Sequence, residues 1–507
     1  MKIATRILVN TLSLYAKMLI TTIISLYLVR IVLEYMGEND FGIYSLIGGV
    51  IALLSFINAA LLVSTQRYLS VELGKKGTRR TREILSASLQ IHLGMAMAII
   101  IALEICYLFL FDDVLNIKPE RIATAKIVYQ LMVISTIFTI IGVPFNAILN
   151  AKEDLWMFSI VESICSIMKL GIIIIFHYLH HDALILYTGW ITIITIINFI
   201  IKYFWCFFKY KECKSLKILK KVDHLLIKEL LGFSGWTSLG TLALIGRIQG
   251  IAIVLNIFWG TALNAVYGIA NQVNGQLIYF STMMTSSMTP QIMKSYGEGN
   301  LRRMQYLSVF TCKLAFYLSA VFAIPLLIEI DFILTVWLKN VPQYTSTFCS
   351  LIIFMFLIME LTPGLDRAIQ ATGKIKTFQI ITSIAMLIPI PVGFFIGKMQ
   401  ASFLIILITM ILSQGIQMII AIIIGHKTAK IKIKPFLIYI FKSIIVFSII
   451  YIGGKYLKVI LTNNFSSWII FFIICISTVL AFSVLYYCAI FTSEDKDKIK
   501  SVIKRRS

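Results

Sequence analysis

Apolar runs long enough to cross a bilayer, about 18 residues or more, recur from one end of this chain to the other, and no other feature limits its folding so severely. In hydrocarbon a helix satisfies its own backbone N–H and C=O groups, so runs of this length read as membrane-spanning helices. Only 14% of the 507 residues are charged, where a water-soluble surface needs about 25%. Lipid must therefore be most of the solvent. A membrane β-barrel would show alternating segments of roughly ten residues, and none is visible. The expected fold class is an all-α polytopic membrane protein.

About fourteen spans are expected, near 8–33, 41–63, 84–111, 123–146, 156–178, 183–207, 230–257, 262–289, 306–330, 346–363, 377–397, 402–424, 436–453 and 467–491. The net charge of +22 raises the possibility of nucleic acid as a partner. Location argues against it, because the basic residues sit in short loops between apolar runs. With the N-terminus inside, inner segments hold about 32 of the 46 lysines and arginines and outer loops about six. That bias expects both termini in the cytoplasm. MKIATR and the run after it are read as an uncleaved first helix, since the run is too long for a signal peptide's apolar region.

Basic linkers at Lys209–Lys228 and Gly425–Lys434 divide the chain into six, six and two spans. The expected units are an N-lobe (1–225), a C-lobe (226–430), and two further helices with a basic tail (431–507). An internal repeat supports the division. At an offset of 223, Gly37 falls on Gly260, Tyr44 on Tyr267, Val50 on Val273, Leu54 on Leu277, Ser64 on Ser287, Gly74 on Gly297, and Arg79-Arg80 on Arg302-Arg303. At an offset of 220, Ala151, Phe158, Ile160 and Ser163 fall on Ala371, Phe378, Ile380 and Ser383. The second copy is the more polar one, with Asn271 and Asn274 where the first has Gly48 and Ile51.

Charged groups deep in spans are costly unless they meet a partner or a cavity. Lys17 in the first span, Lys169 in the fifth and Arg247 in the seventh are the candidates to line one. Glu162 lies seven residues before Lys169, on the same helical face, with Ser163 and Ser166 nearby. Glu360 sits near the inner end of span ten. Lys313 and Lys442, near span ends, are expected to snorkel or form static ion pairs. Arg30 and Glu34 read as a local pair. Fixed cations with few mid-membrane carboxylates imply an anionic guest. Asn271, Gln272 and Asn274, with Gln249, could hydrogen-bond sugar hydroxyls or bond neighbouring helices.

Other chemistry is thin. The eight cysteines, among them Cys106, Cys165, Cys475 and Cys488, have no C-x-x-C spacing and read as small apolar residues. His177, His180, His181 and Asp182 offer an i,i+4 pair at a span end but no further ligands close by, so an interfacial turn is expected rather than a metal site. There is no phosphate-binding G-x-x-x-x-G-K-[ST] and no G-x-S-x-G elbow. No loop exceeds about 25 residues, too short for the soluble domains common in globular proteins. An enzyme is not expected.

Two stretches carry a resemblance. ANQVNGQL followed by SSMTPQIMKSYGEGNLRR (from Ala270 and Ser286) resembles the Asn/Gln-rich eighth helix and P-Q-I-x-K-S-Y-x-x-G-[DN] loop of bacterial polysaccharide flippases. The N-terminal stretch with Met36-Gly37 and Phe41-Gly42-Ile43-Tyr44, and AIQATGK (368–374), are similar to the same family. This is the polysaccharide branch of the multidrug/oligosaccharidyl-lipid/polysaccharide exporter (MOP) superfamily. The resemblance implies two pseudo-symmetric six-helix lobes around a central cavity, plus two C-terminal helices. It implies a flippase in the bacterial inner membrane that moves undecaprenyl-diphosphate-linked oligosaccharide by alternating access, for lipopolysaccharide O-antigen or capsule synthesis. Lys17, Arg247, Asn271 and Asn274 are then lining residues, with polysaccharide polymerase machinery as a possible partner. No cofactor is expected beyond coupling to a H⁺ or Na⁺ gradient, for which Glu162 is the candidate. A multidrug antiporter of the same fold, a flippase for the peptidoglycan lipid precursor, and a membrane polymerase or ligase remain alternatives. The last would typically carry a large outer loop, and the longest here is about 15 residues.

Overall fold

Because helix is the economical way to carry an apolar backbone through lipid, the composition alone calls for a helical chain. The computed structural model describes residues 3–52, 56–75, 78–109, 119–172, 174, 176, 182–214, 223–338, 341–462 and 465–497. Helix is the regular structure throughout these residues. Nine helices among them are long and apolar enough to cross a membrane, or ten if the pair Thr345–Met359 and Pro363–Thr372, bent by 44°, is one span. With the elements outside that test, the order accords with about twelve to fourteen spans of a multi-pass membrane protein.

The chain divides into two compact units, Arg6–Ser238 and Leu239 onward. The first contains α1 (Ile3–Ala52, from Arg6), α2 (Phe56–Gly74), α3 (Thr78–Phe109), α4 (Pro119–Ala151), α5 (Leu155–Lys169), α6 (Ala183–Lys209), the short α7 (Lys211–Lys214) and the beginning of α8 (His224–Gly297). One core gathers Val32, Ala125, Tyr129, Ile140 and Leu184; another gathers Leu69, Leu85, Ile148, Leu149 and Leu230. The Tyr129 hydroxyl, buried in the first, donates to the Leu103 carbonyl at 2.6 Å. Arg121 is hydrogen-bonded and ion-paired to both Asp40 and Asp182. Burial opposes ionisation of Asp182, but the Arg121 hydrogen bonds and charge outweigh it and hold the carboxyl below its ordinary range.

Two boundaries differ from expectation. Residues 34–40 were expected as a turn, yet α1 is one 50-residue helix through them. That segment contains no proline, and a lone glycine such as Gly37 costs a helix only about 1 kcal/mol. The fifth span is interrupted: α5 stops at Lys169, a turn follows at Leu170 and Gly171 where the Trp190 indole N–H caps the Met168 carbonyl at 2.9 Å, and helix is found again at Ile172, Ile174 and Phe176.

The second unit holds the rest of α8, then α9 (Leu301–Ile328), α10 (Ile330–Leu338), α11 (Thr345–Met359), α12 (Pro363–Thr372), α13 (Lys376–Leu387), α14 (Pro389–Lys398), α15 (Leu404–Ala429), α16 (Ile433–Thr462) and α17 (Ser467–Ala489). Inside α8 the expected turn occurs at Gly260, whose φ of 85° and ψ of 177° belong to a region that only glycine occupies at low cost. Of the nine long apolar helices among the described residues, α9 is the most enclosed, with 67% of its apolar window buried. A Cβ on Gly364 would overlap the Ser308 carbonyl, so glycine is what lets α12 lie against α9. The last two helices dock on α9 as well: the Tyr439 hydroxyl donates to the Cys312 carbonyl and the Tyr486 hydroxyl to the Lys313 carbonyl, each at 2.9 Å. Their outer faces carry exposed apolar side chains such as Phe441, Ile452 and Val484, as a lipid-facing surface requires.

Candidate functional site

The buried charges form a separate constellation in each unit. In the first, α5 and α6 meet at Glu162. Lys202 of α6 is 5% exposed and its Nζ lies 2.5 Å from a Glu162 carboxylate oxygen. Asn198, one turn before Lys202, donates to the same oxygen at 3.2 Å. Two ammonium groups share the Phe158 ring: Lys17 of α1 at 4.8 Å from its centroid and Lys202 at 4.6 Å. Two lysines on one carboxylate leave an excess of positive charge, steadied by the ring face. Glu162 is thus neutralised by Lys202. The face it shares with Lys169 is not where its partner comes from, and Lys169 lies in the last turn of α5, where a cation complements the helix dipole.

In the second unit Arg247 stands on α8, 13 residues before Gly260. It is 5% exposed. Its Nη1 reaches the Met355 sulfur at 3.9 Å, and its Nε has no protein partner. No carboxylate pairs with it among the described residues. Tyr267 is the ionisable neighbour that acts on it, and the Tyr267 hydroxyl is itself buried, with the Asn271 side chain as its polar neighbour. One turn further on, the Asn271 amide donates to the Tyr267 backbone carbonyl at 2.9 Å. Asn274 is 7% exposed and its Oδ1 has no protein partner. Two polar atoms of α8, Arg247 Nε and Asn274 Oδ1, are therefore enclosed and unpaired, an arrangement that is expensive unless a guest or water engages them. Gln249 and Gln272 are exposed.

A third cluster lies where the spanning pair α11–α12 breaks. Glu360, 3% exposed, caps α11 and accepts a hydrogen bond from Ser281 of α8. Asp366 and Arg367 follow in α12, each with one buried atom lacking a hydrogen bond (Asp366 Oδ1 and Arg367 Nε), while Arg367 Nη1 donates to Gln370 at 3.1 Å. Pro363-Gly364 reads in sequence as the end of a span, which hides that helix resumes immediately.

Of the sequence candidates, Lys17 and Glu162 fall in one constellation and Arg247, Asn271 and Asn274 in another. Sequence reasoning missed Lys202, Asn198, Phe158, Tyr267 and Met355. Lys202 was visible as an in-span lysine, but its setting, KYFWCFFK, reads as a snorkelling residue near the span end. The i,i+4 spacing of Asn198 and Lys202 was the signal available. Lys313 is a static ion pair, 2.7 Å from Asp495. The cysteines are all free. His177, His180 and His181 lie outside the described residues, as do the side chains of Arg30 and Glu34. No group of three or more metal-ligating His, Cys, Asp or Glu side chains occurs among the described residues.

A chain of many apolar helices with charges enclosed in its spans is a multi-pass membrane protein. Residues 229–395 match the MatE family model. No curated protein matches the chain. Solved structures share its fold. A mutant MATE protein superposes with a TM-score of 0.72 at 15% identity, over 84% of this chain and 96% of that one. An outward-facing multidrug resistance MATE family transporter of the MOP superfamily gives 0.72 at 14% identity, with the same coverage. A MOP superfamily transporter from Pyrococcus furiosus, described as having a binding pocket of reverse polarity that suggests a different function, gives 0.68 at 14% identity over the same shares. These likenesses establish the MATE-transporter fold.

Proposed function

We propose that this protein is a membrane exporter whose guest carries negative charge. Within that class we infer a flippase for polyprenyl-diphosphate-linked oligosaccharide destined for surface polysaccharide, O-antigen or capsule. The observation that carries the reading is Arg247: a guanidinium enclosed in an apolar span with no carboxylate to neutralise it among the described residues. A cation kept there at a cost of a few kcal/mol has value to the protein if an anion visits. Arg247 would attract the diphosphate, and Lys17 and Lys169, in the other unit, are further cations for an anionic guest. Asn271 and Asn274, with Gln272 and Gln249, would take sugar hydroxyls, and Glu162 with Lys202 would answer to a coupling ion. The cytoplasmic membrane is the proposed site of action, with both termini inside.

The fold comparisons by themselves favour a second reading at least as well, a multidrug antiporter. Its specific support is the set of carboxylates within spans, Glu162, Glu360 and Asp366, of the kind that a cation-coupled antiporter protonates. The Pyrococcus relative shows that pocket polarity is a point on which proteins of this fold are distinguished. Proteoliposomes loaded with a fluorescent polyprenyl-diphosphate oligosaccharide separate the two readings. The flippase reading expects protein-dependent exposure of the head group, lost in Arg247→Gln. Export of cationic dyes by the wild type, with no movement of the lipid-linked sugar, would establish the antiporter instead.

A further inference from the structure

At one end of the second unit, the start of α9, the start of α16 and the segment after α17 line a half-open cavity of about 750 Å³. Beside Lys313, whose partner is Asp495, three further cations line it: Arg302, Lys432 and Lys442. All three are exposed, and none has a carboxylate partner among the described residues. Glu494 also lines the cavity, so the excess is two positive charges.

Two further features give the cavity a chemical character. One of its lining cations, Lys313, is already neutralised. Asp495 is 1% exposed and accepts from Lys313 at 2.7 Å, from the Tyr306 hydroxyl at 2.8 Å and from the Thr492 hydroxyl at 2.8 Å. Lys313 and Asp495 thus satisfy each other, and the three exposed cations are left for something else. The floor, meanwhile, is apolar and continues into lipid-facing surface. Ile438 lines the cavity and is 47% exposed, and Phe441 and Ile445, at helical spacing on α16, are 67% and 39% exposed. Lys442 rises from this same face, ten residues or about 15 Å along the helix from Lys432. A long flexible stem there can reach toward the interface while lying on apolar surface.

We propose that this cavity binds the phosphate head group of an anionic phospholipid, whose acyl chains lie along the exposed face of α16. The ligand chemistry is a phosphate ester, held by Arg302, Lys432 and Lys442 at the membrane interface. Loop charge puts this end at the cytoplasmic leaflet, where anionic lipid is a ready source. A free phosphate would meet the same three cations but would leave the apolar floor unused. The site does not depend on which guest the protein exports.

The test uses the full-length protein in detergent, titrated with phosphatidylglycerol, phosphatidylcholine or inorganic phosphate, and read by native mass spectrometry and by apparent Tm. Wild type is expected to retain phosphatidylglycerol in preference to phosphatidylcholine and to gain Tm from it. Each cation near the lipid surface is worth roughly fivefold in affinity. The triple variant Arg302→Gln/Lys432→Gln/Lys442→Gln should therefore lose roughly a hundredfold. Its Tm in phosphatidylcholine should match wild type, because the three side chains are exposed. If that baseline falls, Lys442→Gln and its conservative counterpart Lys442→Arg decide: loss in the first with retention in the second supports the site, and equal behaviour overturns it. Equal retention of the two lipids by wild type, or an undiminished preference in the triple variant, also overturns the proposal. Inorganic phosphate that stabilises wild type as well as phosphatidylglycerol does would make it a site for soluble anions and overturn the lipid.

Discussion

Replacing Arg247 by methionine distinguishes a guest-binding charge from a structural one, because the two predict opposite changes in stability. The residue is 5% exposed, 13 residues or about 20 Å along the helix from the Gly260 kink, and so well inside a hydrocarbon layer of about 30 Å. The contact its charge makes is with the Met355 sulfur at 3.9 Å, a weak acceptor. A buried arginine in an ion pair would cost about 3–5 kcal/mol to delete, because a carboxylate would be stranded. Deleting Arg247 strands none among the described residues. An arginine at the centre of a spanning helix is unfavourable by about 2.5–3.5 kcal/mol on insertion scales. Methionine, unbranched and flexible enough to fill the space, removes most of that cost. The expected result is a variant whose apparent Tm is unchanged or raised by a few degrees and whose transport is lost. Thermal unfolding in detergent, followed by size-exclusion of the soluble fraction, gives the first quantity, and head-group translocation in proteoliposomes the second. A clear fall in Tm accompanied by normal transport would refute the reasoning and make Arg247 a structural residue.

Other consequences follow from the same geometry. Lys202→Met should destabilise by about 1–3 kcal/mol, because Glu162 loses its partner, and Lys202→Met/Glu162→Met should recover most of that loss; equal Tm values for the single and double variants would deny the pairing. Gly260→Ala should cost about 1–3 kcal/mol from its positive φ, whereas Gly268→Ala, with open space at its Cβ, should be neutral, which chemical-denaturation midpoints can compare. Burial disfavours ionised Asp495, but Lys313, Thr492 and Tyr306 outweigh it and hold the carboxyl below the ordinary aspartate range. A depressed pKa contributes stability that is complete above the unfolded value of about 3.9 and is lost as pH falls through the folded value. Asp495→Asn should therefore lower Tm at neutral pH, and the gap to wild type should close only below about pH 4. A gap that persists unchanged in strong acid would remove the ion pair from the explanation.

Three of the charged constellations differ in what they leave unsatisfied, and that difference orders those three for function. At Lys313 and Asp495 every strong group is matched, which is the signature of a brace. At Lys202 and Glu162 the pair is matched, but Lys17 adds a second cation over the same ring. At Arg247 the charge is unmatched among the described residues, and Asn274 of the same helix has an unpaired oxygen too. Of the three, the last has its polar capacity held open inside a low-dielectric span, where a charged guest would be felt most strongly.

The helical membrane architecture and the turn at Gly260 were legible in the sequence itself, since lipid permits few backbone solutions and long apolar runs are local facts. So was the presence of Arg247, Lys17, Asn271 and Asn274 in spans, because a charge or an amide in an apolar run is conspicuous without any coordinates. What the sequence could not decide was partnership. Glu162 had Lys169 on its own helical face, yet its partner came from 40 residues away on α6. Lys313 and Lys442 read alike and line the same cavity, yet one is braced by Asp495 and the other has no carboxylate partner among the described residues. Sequence spacing determines which side chains share a face of one helix. Which face meets which neighbour is set by packing between helices far apart in the chain, by close approaches such as Gly364 on Ser308 and hydroxyl anchors such as Tyr439 and Tyr486, and that is where a buried charge acquires a partner or is left without one.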